Sequence, residues 1–132
     1  MACFDFYFIA SVVIAIFYED IMEQFDLLPL PIAFGPPNRG KSWAAKFAVA
    51  SCGNQKGVYT DVTSAVARKL VSQPIPFVYD DPNDLSLIKE LLITVFGDSE
   101  VGTAHNVSHS RTTPIITANT FIIESLADDD DR

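Results

Sequence analysis

Residues 35–42 constrain the fold of this chain more than any other segment. They read Gly-Pro-Pro-Asn-Arg-Gly-Lys-Ser and fit the pattern G-x-x-x-x-G-K-[ST] at every fixed position. The apolar run 30–34 precedes them and the alanine-rich run 43–50 follows. This context predicts a buried strand, a glycine loop and a helix, in that order. It disfavours the alternative, a chance match in a turn rich in glycine and proline.

The chemistry of this loop predicts phosphate binding. Its two glycines let the backbone curl with N–H groups turned inward, and the helix start adds the positive end of a dipole. The lysine is expected to reach the β- and γ-phosphates of a nucleotide, and the serine hydroxyl to ligate Mg²⁺. We therefore expect ATP and Mg²⁺ to bind here. The expected binding residues are Gly35, Pro36, Pro37, Asn38, Arg39, Gly40, Lys41, Ser42 and Trp43.

Composition limits the class of protein. A length of 132 residues with 48% hydrophobic content suits one domain with a single core. The formal net charge of −8, which includes the aspartate run 128–131, argues against a broad nucleic-acid surface, although a nucleic-acid partner stays open. Cys3 and Cys52 are the only cysteines, so no disulfide framework is predicted. We expect an intracellular location, cytoplasmic or nuclear.

The N-terminal segment is strongly apolar between residues 4 and 17. It is shorter than the roughly 20 residues that span a bilayer, and it lacks the basic start of a signal peptide. Together with the amphipathic run 18–25 it predicts one long helix from Phe4 to Phe25, buried in its first half. A membrane anchor is the alternative. In a fragment of a longer protein, an apolar face of this helix would lack its covering partner.

Strand-like and helix-like segments alternate along the rest of the chain. Further strands are predicted at residues 57–62, 74–79 and 114–118, and further helices at 64–72 and 85–96. Thr63 or Ser64 is expected to cap the first of these helices, and Asn83 or Asp84 the second. The polar run 98–113 predicts a loop or a small hairpin. The alternation predicts a parallel sheet with helical crossovers.

Polar residues end two of the later strands, where a parallel sheet binds its ligands. We expect Asp80 to hold Mg²⁺ and Asp81 to polarise the attacking water; the alternative is a turn and helix cap. Asn119 is expected to hydrogen-bond the γ-phosphate or that water; the alternative is an ordinary turn. Lys41, Asp81 and Asn119 are thus the candidate catalytic residues. Ser42 and Asp80 are the candidate metal ligands.

The order of these motifs resembles the superfamily 3 helicases, the viral and plasmid branch of the AAA+ ATPases, and especially the papillomavirus-type replicative helicase. In that family the loop reads Gly-Pro-Pro-Asn-x-Gly-Lys-Ser, as residues 35–42 do here. Motif B is an apolar strand ending in two acidic residues, as at Asp80 and Asp81, and motif C is one ending in asparagine, as at Asn119. The alternative is a resemblance to the related phage- and transposon-derived helicase-like ATPases found in animal genomes.

The resemblance covers residues 28–122 and implies a single α/β domain, a three-layer P-loop NTPase core of AAA+-like type. Its sheet is expected to be mostly parallel and incomplete at the C-terminus. The N-terminal helix, residues 1–27, precedes this core, and an acidic tail, residues 123–132, follows it. The implied activity is Mg²⁺-dependent ATP hydrolysis in an oligomeric ring, here a homo-oligomer, with no membrane partner.

The family also has a DNA-contacting hairpin between motifs B and C, where residues 97–111 lie here. His105, His109 and Arg111 are its candidate contacts; the spacing of the two histidines also suits a metal, but the surroundings are not helical.

The family donates a basic residue to the neighbouring subunit's nucleotide, for which Arg132 is the candidate here. Because nothing follows Arg132 to hold it, we expect weak or no hydrolysis by this chain alone. One alternative function is a non-catalytic nucleotide-binding or interaction module from a truncated or decayed helicase gene. A small-molecule kinase is another.

Overall fold

The fold alternates helices and strands, as the sequence predicts. The computed structural model describes residues 2–25, 28–83, 85–96, 101–103 and 106–119. The helices of these residues are α1 (Ala2–Ile16), α2 (Tyr18–Phe25), α3 (Lys41–Ser51), α4 (Ser64–Val71) and α5 (Leu85–Phe96). The strands are β1 (Ile32–Phe34), β2 (Val58–Tyr59), β3 (Val78–Asp80), β4 (Val101–Thr103), β5 (Asn106–Ser108) and β6 (Ile115–Ala118).

Four strands form one parallel sheet in the order β1-β6-β3-β2. Parallel neighbours need crossover connections, and α3, α4 and α5 supply them. Strand β6 lies between β1 and β3, and all four of its residues are buried. The carboxyl ends of β1, β6 and β3 therefore lie side by side. Strands β4 and β5 form a separate antiparallel hairpin.

Helices cover both faces of the sheet, because side chains alternate between the two faces of a strand. Val78 and Ile115 pack on one face with the buried side chains of α1 and α3. Tyr79 and Ile116 pack on the other face with those of α4 and α5 and with Tyr18 of α2. The result is three layers, helix on sheet on helix. The predicted α/β class with a parallel sheet is confirmed.

The prediction of one long N-terminal helix is wrong in two respects. A turn at Phe17 separates α1 from α2, although Ile21 N still donates to Phe17 O at 3.0 Å. The first half is also not buried throughout. Phe8 and Val12 are buried against the sheet layer, whereas Phe6 is 77% exposed and Val13 lies on the same open side. The helix is apolar all round, but only one face has a partner among the described residues.

Strand lengths are the other correction. The predicted strand 74–79 is reduced to Val78–Asp80, because Pro74 and Pro76 donate no backbone N–H to the sheet. Asp80 is thus the last residue of β3 rather than the first one after it. The predicted strand 57–62 keeps only Val58–Tyr59. The bounds of α5 are confirmed, as is the cap at Thr63, whose hydroxyl accepts from Val66 N at 3.5 Å. Within the run 98–113 the hairpin alternative is confirmed.

Candidate functional site

The glycine loop, residues 35–42, connects β1 to α3 through backbone that favours glycine. The φ angles are +146° at Gly35 and +82° at Gly40, and Asn38 also has a positive φ, +60°. No atom lies within 4 Å of a Cβ built on either glycine, so conformation rather than space calls for glycine there. Gly35 N donates to Ala118 O at 3.2 Å, so the loop leaves the sheet directly beside the end of β6.

Lys41 is the most enclosed charge of the loop, with 5% of its surface exposed. Its Nζ donates to the backbone oxygens of Gly35 and Pro36 at 2.8 Å each, and to Asn119 Oδ1 at 3.3 Å. An ammonium group has three hydrogens to donate, and here each has an acceptor. These contacts offset the cost of burying the charge. They also join the glycine loop to the end of β6.

Ser42, Asp80 and Thr117 meet on the sheet face that α3 covers. Ser42 Oγ donates to Asp80 Oδ1 at 2.6 Å, and Thr117 Oγ1 donates to the same oxygen. The strands explain this meeting, because Asp80 pairs with Thr117 in the register of β3 and β6. Each lies two residues after a strand residue that faces α3, namely Val78 and Ile115, so the alternation of side chains puts both on that face.

Asp81 and Asn119 form a second contact just beyond the strands. Asn119 donates to the Asp81 carboxylate twice, from its backbone N to Oδ1 at 3.1 Å and from Nδ2 to Oδ2 at 2.7 Å. Asp81 N donates to Thr117 O at 2.7 Å, and the residue has a φ of +48°. This turn places the Asp81 carboxylate beside Asn119, whose other amide atom accepts from Lys41.

The structure thus brings together all five residues predicted for catalysis or metal binding. They are Lys41, Ser42, Asp80, Asp81 and Asn119, and hydrogen bonds connect them in two groups. Their chemical roles remain predictions. The other predicted binding residues of the loop, from Pro36 to Arg39, are exposed, as is Trp43 at the start of α3.

An open recess adjoins the glycine loop. Its volume is about 790 Å³. The loop forms one side, except for Pro37 and Ser42, which do not line it. Phe34, Trp43 and Phe47 supply exposed aromatic rings on the other sides. Among the described residues, the charged or amide side chains of its lining are those of Asn38, Arg39 and Lys41, and the indole of Trp43 adds one N–H donor.

Sequence reasoning gave no role to Thr117. The residue is buried, with 1% exposed, and its hydroxyl lies on the candidate metal carboxylate. The signal that would have identified it is a hydroxyl residue within an otherwise apolar strand, two positions before the strand-ending asparagine. Phe34 and Phe47 were also passed over, because single aromatic residues in a strand and a helix are usually core residues.

Of the proposed DNA-contacting residues, Arg111 contacts helices α2 and α4 rather than the glycine loop. Arg111 follows the hairpin, which ends at Ser108, and its Nε contacts Glu19 Oε1 of α2 at 2.5 Å. Arg111 therefore does not lie at the tip of the hairpin. A backbone hydrogen bond also fixes its position, since Arg111 N donates to Val71 O at 2.8 Å. His109 is exposed, while His105 and Arg132 lie outside the described residues. Whether the two histidines hold a metal, which their spacing alone would suit, is not tested.

The oxygen atoms at Ser42 and Asp80 are suited to Mg²⁺. Mg²⁺ prefers oxygen ligands and usually takes one or two carboxylates together with water and phosphate, rather than a cage of protein ligands. No group of three or more His, Cys, Asp or Glu side chains able to hold a metal occurs among the described residues. A serine hydroxyl and an aspartate oxygen 2.6 Å apart fit the sparse arrangement that Mg²⁺ uses beside phosphates.

Comparison with known proteins supports the fold. No protein-family description and no curated protein matches the sequence. A solved structure described as "SCCmec type IV Cch - active helicase" superposes on the chain with a TM-score of 0.65 and 20% sequence identity. The match covers 91% of this chain and 24% of the helicase chain. The chain therefore shares its α/β fold with one part of a helicase about four times the matched length.

One observation bears on the alternative of a membrane anchor. In the part of the chain that the structure describes, no helix has both the length and the apolar character needed to cross a bilayer.

Proposed function

We propose that this chain is the ATP-binding core of a helicase-like P-loop ATPase, of the superfamily 3 and AAA+ type. One observation carries the proposal: the glycine loop and the ends of β3 and β6 bring a lysine, a serine, two aspartates and an asparagine together in two hydrogen-bonded groups. The motif that predicts phosphate binding and the residues that predict metal binding are far apart in the sequence. Their contact in the fold supports a single site for Mg²⁺ and ATP.

The phosphates of ATP would be bound by the glycine loop and by the N-terminus of α3, where backbone N–H groups and the helix dipole favour anions. Lys41 would neutralise part of their charge. Because the three hydrogens of its ammonium already have acceptors, at least one of these contacts must be exchanged for a phosphate oxygen. Ser42 and Asp80 would hold Mg²⁺, which supplies positive charge beside the phosphate oxygens when bound.

Asp81 and Asn119 are the residues proposed to handle the attacking water. The Asp81 carboxylate would accept its proton, and Asn119 would orient both the carboxylate and Lys41. The chain of contacts Lys41–Asn119–Asp81 supports this arrangement, since it joins the phosphate-binding cation to the candidate base. The same proposal includes assembly into a homo-oligomeric ring, in which each subunit donates a basic residue to the nucleotide of its neighbour. It also includes an intracellular location.

The second candidate is a nucleotide-binding module that does not hydrolyse ATP. The observation in its favour is that each oxygen of the Asp81 carboxylate already accepts a hydrogen bond from Asn119. These bonds occupy two of the roughly four lone-pair sites of the carboxylate, which leaves fewer for the attacking water. Binding by the glycine loop does not depend on them.

ATP binding and hydrolysis by the wild type and Lys41→Ala, with exposed Lys69→Ala as a matched charge control, test the proposal. Turnover that is lost only in Lys41→Ala supports the ATPase, and tight binding without turnover in the wild type supports the module. No binding of Mg·ATP by the wild type contradicts both. Circular dichroism and thermal unfolding check that Lys41→Ala is folded, since the side chain is buried.

If Lys41→Ala unfolds, Ser42→Ala gives the same test at a less buried position. The variant removes the hydroxyl that contacts Asp80 and leaves the lysine in place.

A further inference from the structure

The recess beside the glycine loop is lined by exposed aromatic rings, which phosphate binding does not require. Trp43 and Phe47 lie four residues apart on the same face of α3, and Phe34 ends β1 next to them. Trp43 is 76% exposed and Phe47 65% exposed, whereas the opposite face of α3 buries Ala45 and Val49 in the core. Three large aromatic rings are thus open to solvent at the site.

We propose that this recess binds the base of the nucleotide by aromatic stacking, and that it discriminates little between purine bases. The inference rests on the proposed function, since it places the base where the phosphates are held by the adjoining loop. The loop and the three rings line one continuous cavity, so a single nucleotide can contact both. Its volume of about 790 Å³ is within the range of ligand sites, roughly 300–1,000 Å³.

The flat faces of the exposed rings favour a flat ligand. Ala44 follows Trp43 on α3 and also lines the recess, where its small side chain takes up little of the cavity. Lys46 Nζ lies 5.3 Å from the centroid of the Trp43 ring. Lys46 does not line the recess, so this cation–π contact supports the indole without occupying the cavity.

The weak discrimination follows from the polar groups of the lining. Lys41 already donates all three hydrogens to protein acceptors, which leaves the side chains of Asn38 and Arg39 and the indole N–H of Trp43, all three residues being exposed. A site rejects a related ligand strongly only where buried polar groups would be left unpaired. Exposed groups can turn to water instead. We therefore expect ATP and GTP to bind with affinities within about tenfold of each other.

The experiment compares ligands with and without a base on the full chain with Mg²⁺. Tripolyphosphate, ATP and GTP are titrated by calorimetry. Because the chain has one tryptophan, its fluorescence also reports directly on the recess. We expect ATP and GTP, but not tripolyphosphate, to change the Trp43 emission. We also expect tripolyphosphate to bind at least about fivefold more weakly than ATP, since stacking contributes about 1–3 kcal/mol per base.

Variants assign the effect to the rings. Trp43→Ala is expected to weaken ATP at least about fivefold and to leave tripolyphosphate unchanged, while Trp43→Phe retains most of the affinity. Phe47→Ala should act in the same direction, and Ile93→Ala, an exposed apolar residue of α5, serves as the control. Circular dichroism checks the fold of each variant; the exposed positions make unfolding a minor concern.

The outcomes separate this inference from the proposed function. If the wild type binds tripolyphosphate as tightly as ATP, or if Trp43→Ala and Phe47→Ala both keep full ATP affinity, the inference fails while phosphate binding stands. A change of oligomeric state in Trp43→Ala with unchanged ATP affinity overturns it in favour of a protein contact. If neither tripolyphosphate nor any nucleotide binds, both proposals fail. A preference for ATP over GTP well above tenfold overturns the weak discrimination alone.

Discussion

The polar contacts at the carboxyl ends of the strands differ from the ion pairs on the helices. At the strand ends, Lys41 and Thr117 are almost completely buried, and their polar atoms contact groups of the glycine loop and of the ends of β3 and β6. On the helices, the ion pair Arg68–Glu90 joins α4 to α5, and the pair Arg111–Glu19 joins the segment before β6 to α2. These long side chains are about one third to three fifths exposed. Exposed pairs are screened by water and contribute little. Buried contacts are costly to break, because a group left without its partner stays desolvated.

This difference teaches where substitutions should matter. The site contacts connect elements that are distant in sequence through groups with little freedom to move. The pair Arg68–Glu90 connects α4 and α5, which already pack through apolar side chains. Three further substitutions rank the two kinds of contact by the size of the effect.

Asp80→Asn should have the largest effect. The amide keeps the shape of the side chain but removes the charge that Mg²⁺ requires, so the Mg²⁺-dependent affinity for ATP should fall at least about 100-fold. The measurement is ATP binding titrated against Mg²⁺. Asp61→Asn, at an exposed position after β2, is the control. An equal loss in both variants, or none in Asp80→Asn, would remove Asp80 from the metal site.

Thr117→Val should have an intermediate effect. Valine fills the same volume but cannot donate to Asp80 Oδ1, so the carboxylate loses one of its two fixed donors. Loss of such a supporting contact typically lowers metal affinity about 10- to 100-fold, so the apparent Mg²⁺ affinity should fall about tenfold.

Thr117→Ser is the matched control, since it restores the hydroxyl. Rescue of the Mg²⁺ affinity by serine distinguishes a positioning role from a packing role. Should serine behave like valine, the hydroxyl is not the group that matters.

Substitution of Glu90, which forms the ion pair with Arg68, should have the smallest effect. A hydrogen bond from Ser64 is the main cause that lowers the pKa of Glu90 below its ordinary value; partial burial opposes it, and Arg68 lowers the pKa further. The unfolded chain therefore takes up the proton at a higher pH than the folded chain. The stabilisation is present above the unfolded pKa and is lost as the pH falls through the folded one.

Replacing Glu90 by glutamine should accordingly lower the free energy of unfolding by only about 0.5 kcal/mol at neutral pH, because the pair is partly exposed. Urea unfolding at neutral pH and in acid measures it, and the difference between variant and wild type should shrink in acid. A difference that grows on acidification would reverse the sign of the argument.

Much of the site was predictable because its signals are local. The glycine loop, the acidic pair and the strand-ending asparagine each follow an apolar strand, and the alternation of helices and strands predicts that these ends share one edge. The bounds of α5 were predictable for a similar reason, since its apolar face repeats with helical period.

What could not be predicted depends on pairing and exposure. The hydrogen bond from Thr117 to Asp80 requires the register of β6 against β3, which no local pattern contains. The break at Phe17 and the open side of α1 depend on which neighbours cover an apolar helix. The aromatic recess also depends on which side chains the fold covers. Phenylalanine is usually a core residue, and only the packing of the fold shows that Phe34 and Phe47 are exposed.

Strand β6 has four residues, and it alone borders both β1 and β3. Its alternation means that a shift by one residue would turn Thr117 away from α3 and bring an apolar neighbour to Asp80. A loop that pairs with no strand is under a weaker constraint, because the cost of closing a loop rises only slowly with its length. An insertion in such a loop is thus more tolerable than a single insertion within β6. For this site, the register of β6 against β3 matters as much as the identity of its residues.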